Sequence, residues 1–330
     1  MNEKSKLFNY ELINNISFCS QIKNICSKKF NNYKSVENLK IVSQNLLGLE
    51  NKEFFIKKRI PYIINNLIKL DADIYLLQEV SHFIIHELKQ SLLFKNYYFS
   101  NDYSNNHSSQ LETLIISKIE PLEFKSFFIG GISNYNNAFS LIRFNNIIIA
   151  NIYVQAGNYD SPYLEKVWKK FQKCRLTNLK FIKKFIYRKY YKKCKNIIFS
   201  GDFNFDINEN CLEKNIITND YFKMKNNNYE ELLSEDTTKN FFRFNLKQKE
   251  KRKQYDGFFI HGNIISDKPC LINTKPIFYL NKKDANMFIN RIKIKFDNIK
   301  IKLIDNKIPI FCSDHFGVIC NIQILNKIKD

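Results

Sequence analysis

The sequence predicts an α/β fold in one large domain. Short apolar runs typical of buried strands alternate along the chain with segments whose apolar residues recur at helical spacing. The 330 residues, 44% of them hydrophobic, suffice for a sizeable core, and no repeat or linker divides them. We therefore expect a single domain over residues 37–326. An extension over residues 1–36 precedes it and is expected to be flexible or to form one amphipathic helix.

The strands are predicted by apolar runs that end in polar residues or turns. They span 39–45, 73–80, 112–118, 139–144, 147–154, 195–206, 254–263 and 317–324. Asn145 and Asn146 predict a tight hairpin turn between two of them. Residues 207–255 are expected to be loops with short helices, and 264–312 an irregular insertion.

Apolar residues at helical spacing predict three helices, at 53–70, 82–93 and 163–194. Pro61 is expected to open the main part of the first helix, because proline is favoured at the first helical position. The third helix carries paired basic residues, as in "RKYYKK". This pattern is typical either of a solvated helix face, which we favour, or of a surface that binds nucleic acid.

The chain carries 52 basic and 32 acidic residues, a formal net charge of +20. Such a charge attracts polyanions, either nucleic acid or an anionic membrane. Lys, Asn, Ile, Phe and Tyr are all abundant, which is typical of an AT-rich genome, so codon use contributes to the charge. Charge alone therefore does not identify the partner, and no obligate protein partner is evident.

The eight cysteines form no C-x-x-C pair and no zinc-type spacing. The first residues lack the apolar stretch of a signal peptide, and no apolar run is long enough to span a bilayer. We expect reduced thiols in an intracellular protein, cytoplasmic or nuclear.

Phosphate-loop, dinucleotide-binding and hydrolase-elbow motifs are absent from the sequence. His82 and His86 could pair on a helix face, but without a third ligand we favour ordinary surface or core histidines.

Polar residues collect where the predicted strands end. The sets are Gln44-Asn45, Gln78-Glu79, Asp202-Phe203-Asn204 and Ser313-Asp314-His315, with Tyr153 and Asp256 in similar runs. In α/β proteins, ligand sites form at such strand ends. Carboxylates that converge there repel one another unless a cation lies among them. Glu79, with Asn45 and Asp314, offers the oxygen ligands that a hard divalent ion prefers.

In this order the sets resemble the endonuclease/exonuclease/phosphatase superfamily, metal-dependent phosphodiesterases that include deoxyribonuclease I and exonuclease III. The matching stretches are "SQNLLG", "LLQEV", "NIYVQAG", "SGDFNFD", "YDGFF" and "CSDHFGV". They extend over residues 39–324. The resemblance implies a four-layer α/β/β/α sandwich of two packed mixed sheets, with the active site at one edge.

The resemblance also implies a bound Mg²⁺ or Mn²⁺. Glu79 would be the main ligand, with Asn45 beside it, and Asp314 would support the ligand shell. Such an ion offsets the negative charge with which a phosphodiester repels a nucleophile.

The catalytic roles follow from the same resemblance. Asp202 would orient or deprotonate the attacking water, and Asn204 would hold the water and the phosphate. His315 would hydrogen-bond a phosphoryl oxygen or act as acid/base, with Asp256 fixing its tautomer. Tyr153 would donate to the phosphate from a position where many members of the superfamily have His.

Three functions remain open at this stage. The first is a nucleic-acid phosphodiesterase, which the full motif set and the net charge of +20 favour; "SDHFGVICNI" resembles the end of tyrosyl-DNA phosphodiesterases, whereas Tyr153 matches the exonuclease III type, so the subfamily stays open. The second is a lipid phosphodiesterase or phosphoinositide phosphatase, since the run after Tyr153 is similar to that of neutral sphingomyelinases. The third is a binding module without catalysis, which the complete set of acid, amide and imidazole groups disfavours.

Overall fold

The computed structural model describes residues 23–31, 35–48, 55–91, 94–101, 112–131, 137–157, 165–227, 254–281, 308–313 and 315–325. Within them the chain forms a four-layer α/β/β/α sandwich. Two mixed sheets pack face to face, and helices cover the outer face of each. The fold class predicted from the sequence is confirmed. No helix in the described ranges has the length and apolar character needed to cross a membrane.

Sixteen strands and four helices make up the described structure. The strands are β1 Lys23–Lys29, β2 Asn38–Asn45, β3 Ile74–Val80, β4 Tyr98–Phe99, β5 Glu112–Ser117, β6 Glu123–Phe128, β7 Ala138–Arg143, β8 Ile147–Tyr153, β9 Asn196–Asp202, β10 Lys225–Asn226, β11 Asp256–His261, β12 Ile264–Ser266, β13 Cys270–Ile272, β14 Phe278–Leu280, β15 Ile308–Ile310 and β16 Gly317–Ile324. The helices are α1 Ile56–Leu70, α2 His82–Gln90, α3 Glu165–Lys189 and α4 Leu212–Asn219.

The first sheet has the strand order β1-β6-β7-β8-β9-β11-β10. The second has the order β12-β16-β2-β3-β5-β4, with β13 also paired to β16, and β14 and β15 form a separate two-stranded antiparallel sheet. Each large sheet contains one central parallel pair, β8 with β9 and β2 with β3. Because parallel strands end at the same edge of a sheet, both sheets direct the carboxyl ends of these pairs toward one edge of the sandwich.

The main core lies between the two sheets. Buried aliphatic and aromatic side chains such as Ile41, Ile74, Ile149, Ile198 and Phe258 meet there. Full burial of each such side chain contributes about 1.5–3 kcal/mol. Two further apolar clusters hold α3 against the first sheet and α1 and α2 against the second.

The N-terminal extension and the start of α1 differ from the sequence-based expectation. Lys23–Lys29, expected to be flexible or helical, forms the edge strand β1 and pairs antiparallel with β6. Its sequence, KNICSKK, lacks a marked apolar alternation, so the open edge of β6 determines its conformation. Helix α1 begins at Ile56, so Pro61 lies inside it. The insertion at 264–312 contains four short strands among its described residues.

Candidate active site

The predicted site residues of both sheets meet at one edge of the sandwich. Asn45 ends β2 and Glu79 lies one residue before the end of β3, in the second sheet. Tyr153 ends β8 and Asp202 ends β9, and these two residues are register partners in the first sheet. Asp256 opens β11 opposite Asp202, because β11 runs antiparallel to β9. Residues up to about 200 positions apart in the chain thus converge through sheet topology.

Asn45 links the carboxylates of the two sheets. Its Nδ2 donates to Glu79 Oε1 at 2.9 Å and to Asp202 Oδ2 at 3.0 Å. Its Oδ1 accepts from the backbone N–H of Leu47 at 2.9 Å, which fixes the amide. The hydroxyl of Tyr153 donates to Glu79 Oε1 at 3.1 Å. Two carboxylates are therefore held around one amide group, with a phenol beside them.

His315 lies between two buried aspartates. Its Nδ1 is 2.6 Å from Asp256 Oδ2, and its Nε2 is 3.7 Å from Asp202 Oδ2. Since an ionised carboxylate can only accept a hydrogen bond, the proton at this contact lies on Nδ1. All three side chains are at most 3% exposed. The imidazole is thus oriented by Asp256 and directs Nε2 toward Asp202.

Asn204 follows Asp202 in a turn, and its backbone N–H donates to Asp202 Oδ1 at 2.9 Å. Its side-chain Nδ2 donates to the carbonyl of Val154 at 2.9 Å, so one of its amide hydrogens binds the loop that follows β8. Asn204 and Glu79 both adopt φ of 51°, in the left-handed region. Such a conformation costs a non-glycine residue about 1 kcal/mol or more and tends to occur at functional sites.

The pKa of Asp202 is raised from an ordinary value near 3.8 to about 6, mainly by burial and also by the neighbouring carboxylate of Asp256. His315 and the hydrogen bonds from Asn45 and Asn204 act in the opposite direction. Asp202 therefore titrates close to neutral pH, where a group that takes a proton from water operates well.

The donor set fits a hard divalent cation. Glu79, Asp202 and Asp256 place three carboxylates in one largely buried site, and such ions prefer oxygen ligands. The second carboxylate oxygen of Asp256 is buried and accepts no hydrogen bond from the described residues. Asp202, Asp256 and His315 also offer ligand atoms within 4.8 Å of one another. However, His315 and Asp256 are hydrogen-bonded to each other at 2.6 Å, so these two ligand atoms are already engaged. Glu79 is therefore the better ligand for a cation. The predicted ligand Asp314 lies outside the described residues.

Two residues position the site: Arg59 was not identified from the sequence, and Gln44 was named there only as part of a polar strand end. Arg59 of α1 is fully buried, and its guanidinium donates to the carbonyls of Leu46, Leu47 and Cys312. Gln44 donates to the carbonyls of Asn45 and His315 at 2.8 and 3.0 Å. They join the loop after β2 to the segment that carries His315. In the sequence, Arg59 is visible only as a basic residue on the apolar side of an amphipathic helix, and Gln44 only as a polar residue beside Asn45. Neither pattern by itself predicts these contacts.

Gly201 permits the close approach of β8 and β9 directly before Asp202. Its φ is +138°, and a Cβ there would lie 2.1 Å from the carbonyl oxygen of Ile152. A side chain at this position would separate the two strand ends that carry Tyr153 and Asp202. The glycine of "SGDFN" is thus required for the geometry of the site.

A buried amide contact joins the two sheets beneath the site. Gln78 of β3 donates to Asn151 Oδ1 of β8 at 2.7 Å. Asn151 in turn donates to the carbonyls of Leu77 and Leu114. Because buried polar groups are costly unless paired, this network fixes one relative position of the sheets.

Comparisons with solved structures agree with the fold. Neither a family sequence model nor a curated protein sequence matches the chain significantly. Among solved structures, the chain is similar to an endonuclease/exonuclease/phosphatase from Bacteroides vulgatus, with a TM-score of 0.58 and 12% identity over 87% of this chain and 99% of that one. TDP2 from Caenorhabditis elegans gives a TM-score of 0.55 and 14% identity over 87% and 74% of the two chains. The beta toxin of Staphylococcus aureus gives 0.58 and 16% over 86% and 99%. The chain has the endonuclease/exonuclease/phosphatase superfamily fold.

Proposed function

We propose that this chain is a divalent-metal-dependent phosphodiesterase that hydrolyses phosphodiester bonds in nucleic acid. The observation that carries the proposal is the buried set formed by Asp202, Asp256 and His315 beside the Asn45–Glu79 contact. A binding module without catalysis would not require two buried aspartates, because burying a carboxylate costs folding free energy.

In this proposal Glu79, assisted by Asn45 and Asp314, holds Mg²⁺ or Mn²⁺. When bound, the ion offsets the charge of the phosphate and of the departing oxygen. A cation beside Asp202 also favours its ionised form, because an opposite charge lowers the pKa of a carboxylate.

Asp202 orients the attacking water and accepts its proton. The two oxygens of its carboxylate accept from Asn45 and from the N–H of Asn204, so the group is held in one orientation. Burial, which raises the pKa of Asp202, opposes the effect of the cation and so keeps the carboxylate a stronger base than it would be beside the same ion in water.

As the imidazolium, which the adjacent buried aspartates favour and which carries a proton on each nitrogen, His315 donates through Nε2 to a phosphoryl oxygen. Asp256 accepts the Nδ1 proton and so keeps Nε2 directed into the site. Tyr153 and Asn204 supply further donors near the phosphate. Preorganised donors of this kind stabilise the charge that develops in the transition state.

The complete motif set, together with the net charge of +20, supports nucleic acid as the substrate class. One observation favours a lipid substrate instead. Tyr62 and Tyr279 are 45% and 46% exposed, and the ring centroid of Tyr62 lies 5.6 Å from that of Phe278 in β14, whose partner strand β15 precedes Ser313. An exposed aromatic patch next to this segment could contact a membrane.

A side-by-side assay separates the two substrate classes. We expect Mg²⁺-dependent cleavage of at least one of single-stranded DNA, an abasic duplex or a 5′-tyrosyl oligonucleotide, and no cleavage in EDTA. Cleavage confined to sphingomyelin vesicles would favour the lipid reading, and no cleavage of any substrate would overturn the proposal. An Asp202→Asn variant purified in parallel controls for contaminating nucleases.

A further inference from the structure

A second surface of unusual charge lies on the C-terminal half of α3 and the elements beside it. Residues 166–201 contain thirteen Lys and Arg and no Asp or Glu, so this segment carries a large share of the net charge of +20. Most of these side chains are exposed. We call the exposed set at the end of the segment the basic pole; it comprises Lys184, Tyr187, Arg188, Lys192, Lys195 and Tyr221.

The basic pole lies at the opposite end of the first sheet from the candidate active site. Strand β9 runs from Asn196, which follows the pole, to Asp202 in the site. Strand β11 begins at Asp256 in the site and ends at His261, whose ring centroid is 5.5 Å from that of Tyr191. Five residues of extended strand separate the two ends, or about 17 Å. The pole is therefore not part of the catalytic edge.

Two exposed aromatic rings lie within the basic pole. Tyr187 and Tyr221 are 41% and 45% exposed, and their ring centroids are 5.7 Å apart. Tyr221 has φ of 63°, a strained conformation for a bulky residue. Behind them Tyr191 stacks on Phe222, and Lys195 Nζ lies 3.6 Å from the ring centroid of Tyr191. The rings are thus backed by a packed aromatic cluster and surrounded by cations.

Cations outnumber acids on the neighbouring strand ends as well. Glu123 is a buried carboxylate that meets Lys125 at 3.2 Å, Arg143 at 3.5 Å and the hydroxyl of Tyr190 at 2.9 Å. Burial, and then the nearby Lys125, lower the pKa of Lys189. Beside α4, Asp220 is a half-buried acid near Lys183. A polyanion bound at the surface would relieve the repulsion at the exposed Lys189.

We propose that the basic pole binds single-stranded nucleic acid. Its Lys and Arg side chains contact backbone phosphates, and unpaired bases stack on Tyr187 and Tyr221. A membrane is less suited to this surface. Within the described residues 180–195 and 218–225, the exposed large hydrophobic side chains are these two tyrosines, with no aliphatic side chain to enter a bilayer. This surface goes beyond the proposed function, because binding here requires neither metal nor cleavage.

The test is fluorescence anisotropy with a labelled oligothymidine of about 20 nucleotides, in EDTA so that catalysis plays no part. We expect the double variant Arg188→Glu/Lys192→Glu to weaken binding about tenfold or more and to reduce the slope of log K against log salt by about 1–2. We expect Tyr187→Ala/Tyr221→Ala to weaken binding about fivefold or more, since each stacked base contributes to affinity. Cleavage assayed with Mg²⁺ on a short substrate should stay unchanged in both variants.

The matched control is Lys57→Glu/Lys69→Glu, which makes the same change in net charge at exposed positions of α1. Equal binding by this control and by Arg188→Glu/Lys192→Glu would overturn the proposal. The proposal would also be overturned if Arg188→Glu/Lys192→Glu bound the oligonucleotide like the wild type but no longer bound phosphatidylserine vesicles. That result would identify the basic pole as a membrane-binding surface. If charge reversal prevents folding, Arg188→Gln/Lys192→Gln provides the same comparison.

Discussion

His315 and Asp256 are joined by a 2.6 Å contact in a buried site, so neither side chain can be altered without affecting the other. We expect His315→Ala and Asp256→Asn each to lower kcat strongly, by about 10²-fold or more, and the double variant to lose little beyond the worse single one. Measuring kcat and Tm for all three variants tests this. Near-normal rates together with a lowered Tm would instead mean that the pair is only structural.

Asp202 should set the acid side of the pH–rate profile. Its pKa is raised to about 6, chiefly by burial, so it becomes protonated and unable to accept a proton as the pH falls through that value. At limiting Mg²⁺ we expect kcat/KM to fall about tenfold per pH unit below pH 6. A higher Mg²⁺ concentration should shift this acid-side decrease in rate to lower pH, because the cation favours the ionised form of Asp202. A rate that stays constant down to pH 4.5 would exclude Asp202 as the base.

The sequence motifs picked out those site residues whose position follows from the strand that carries them. Asn45, Glu79, Tyr153 and Asp202 each lie at or next to the end of a recognisable apolar strand, so their convergence followed from strand direction alone. Arg59 was not identified, because its burial depends on α1 packing over two loops that are far apart in sequence. That information lies in the tertiary structure rather than in any local pattern.

Lys183 connects helices α3 and α4. It is fully buried, and its Nζ donates to the carbonyls of Ile217, in the last turn of α4, and of Phe222. Burial lowers its pKa to about 7. The neutral amine has two N–H donors, which match the two carbonyl acceptors. This side chain therefore serves as a cap for the end of α4.

The lowered pKa of Lys183 predicts a pH-dependent stability. Between about pH 7 and the unfolded-state value near 10.5, the unfolded chain binds more protons at this residue, so its contribution to the free energy of unfolding rises with pH. Relative to Lys183→Met, the wild-type free energy of unfolding should rise by up to about 2 kcal/mol from pH 7 to pH 9. Urea denaturation at each pH measures the free energy of unfolding. The Lys184→Met variant, which alters an exposed lysine, is the control. Parallel pH dependences of wild type and Lys183→Met would contradict the account.

Elements with a strong local pattern were predicted, and elements that depend on distant pairing were not. The interior strands β3, β8 and β9 are continuous apolar runs, which explains their identification. Strand β1 was not identified, because β6, its partner, follows about 100 residues later. The strands of the 264–312 insertion are only three residues long, too short for a periodic signal.

For the whole molecule, the structure separates two surfaces of opposite character. One edge of the sandwich gathers acids and His315 from both sheets, and the basic pole lies at the other end of the first sheet. The net charge of +20 is thus not spread evenly, and it coexists with a local excess of carboxylates that calls for a cation. We propose that this edge is a metal-dependent phosphodiesterase site assembled from both sheets.

Glu79→Gln tests that claim most directly, because it keeps the shape of the side chain and removes the charge of the main metal ligand from the second sheet. After EDTA treatment and restoration of Mg²⁺, we expect phosphodiester cleavage by this variant to fall about 10²-fold or more, with Tm unchanged. Glu87→Gln, which alters a partly exposed glutamate on α2, should cleave at the wild-type rate. Full activity of Glu79→Gln under the same conditions would contradict the account.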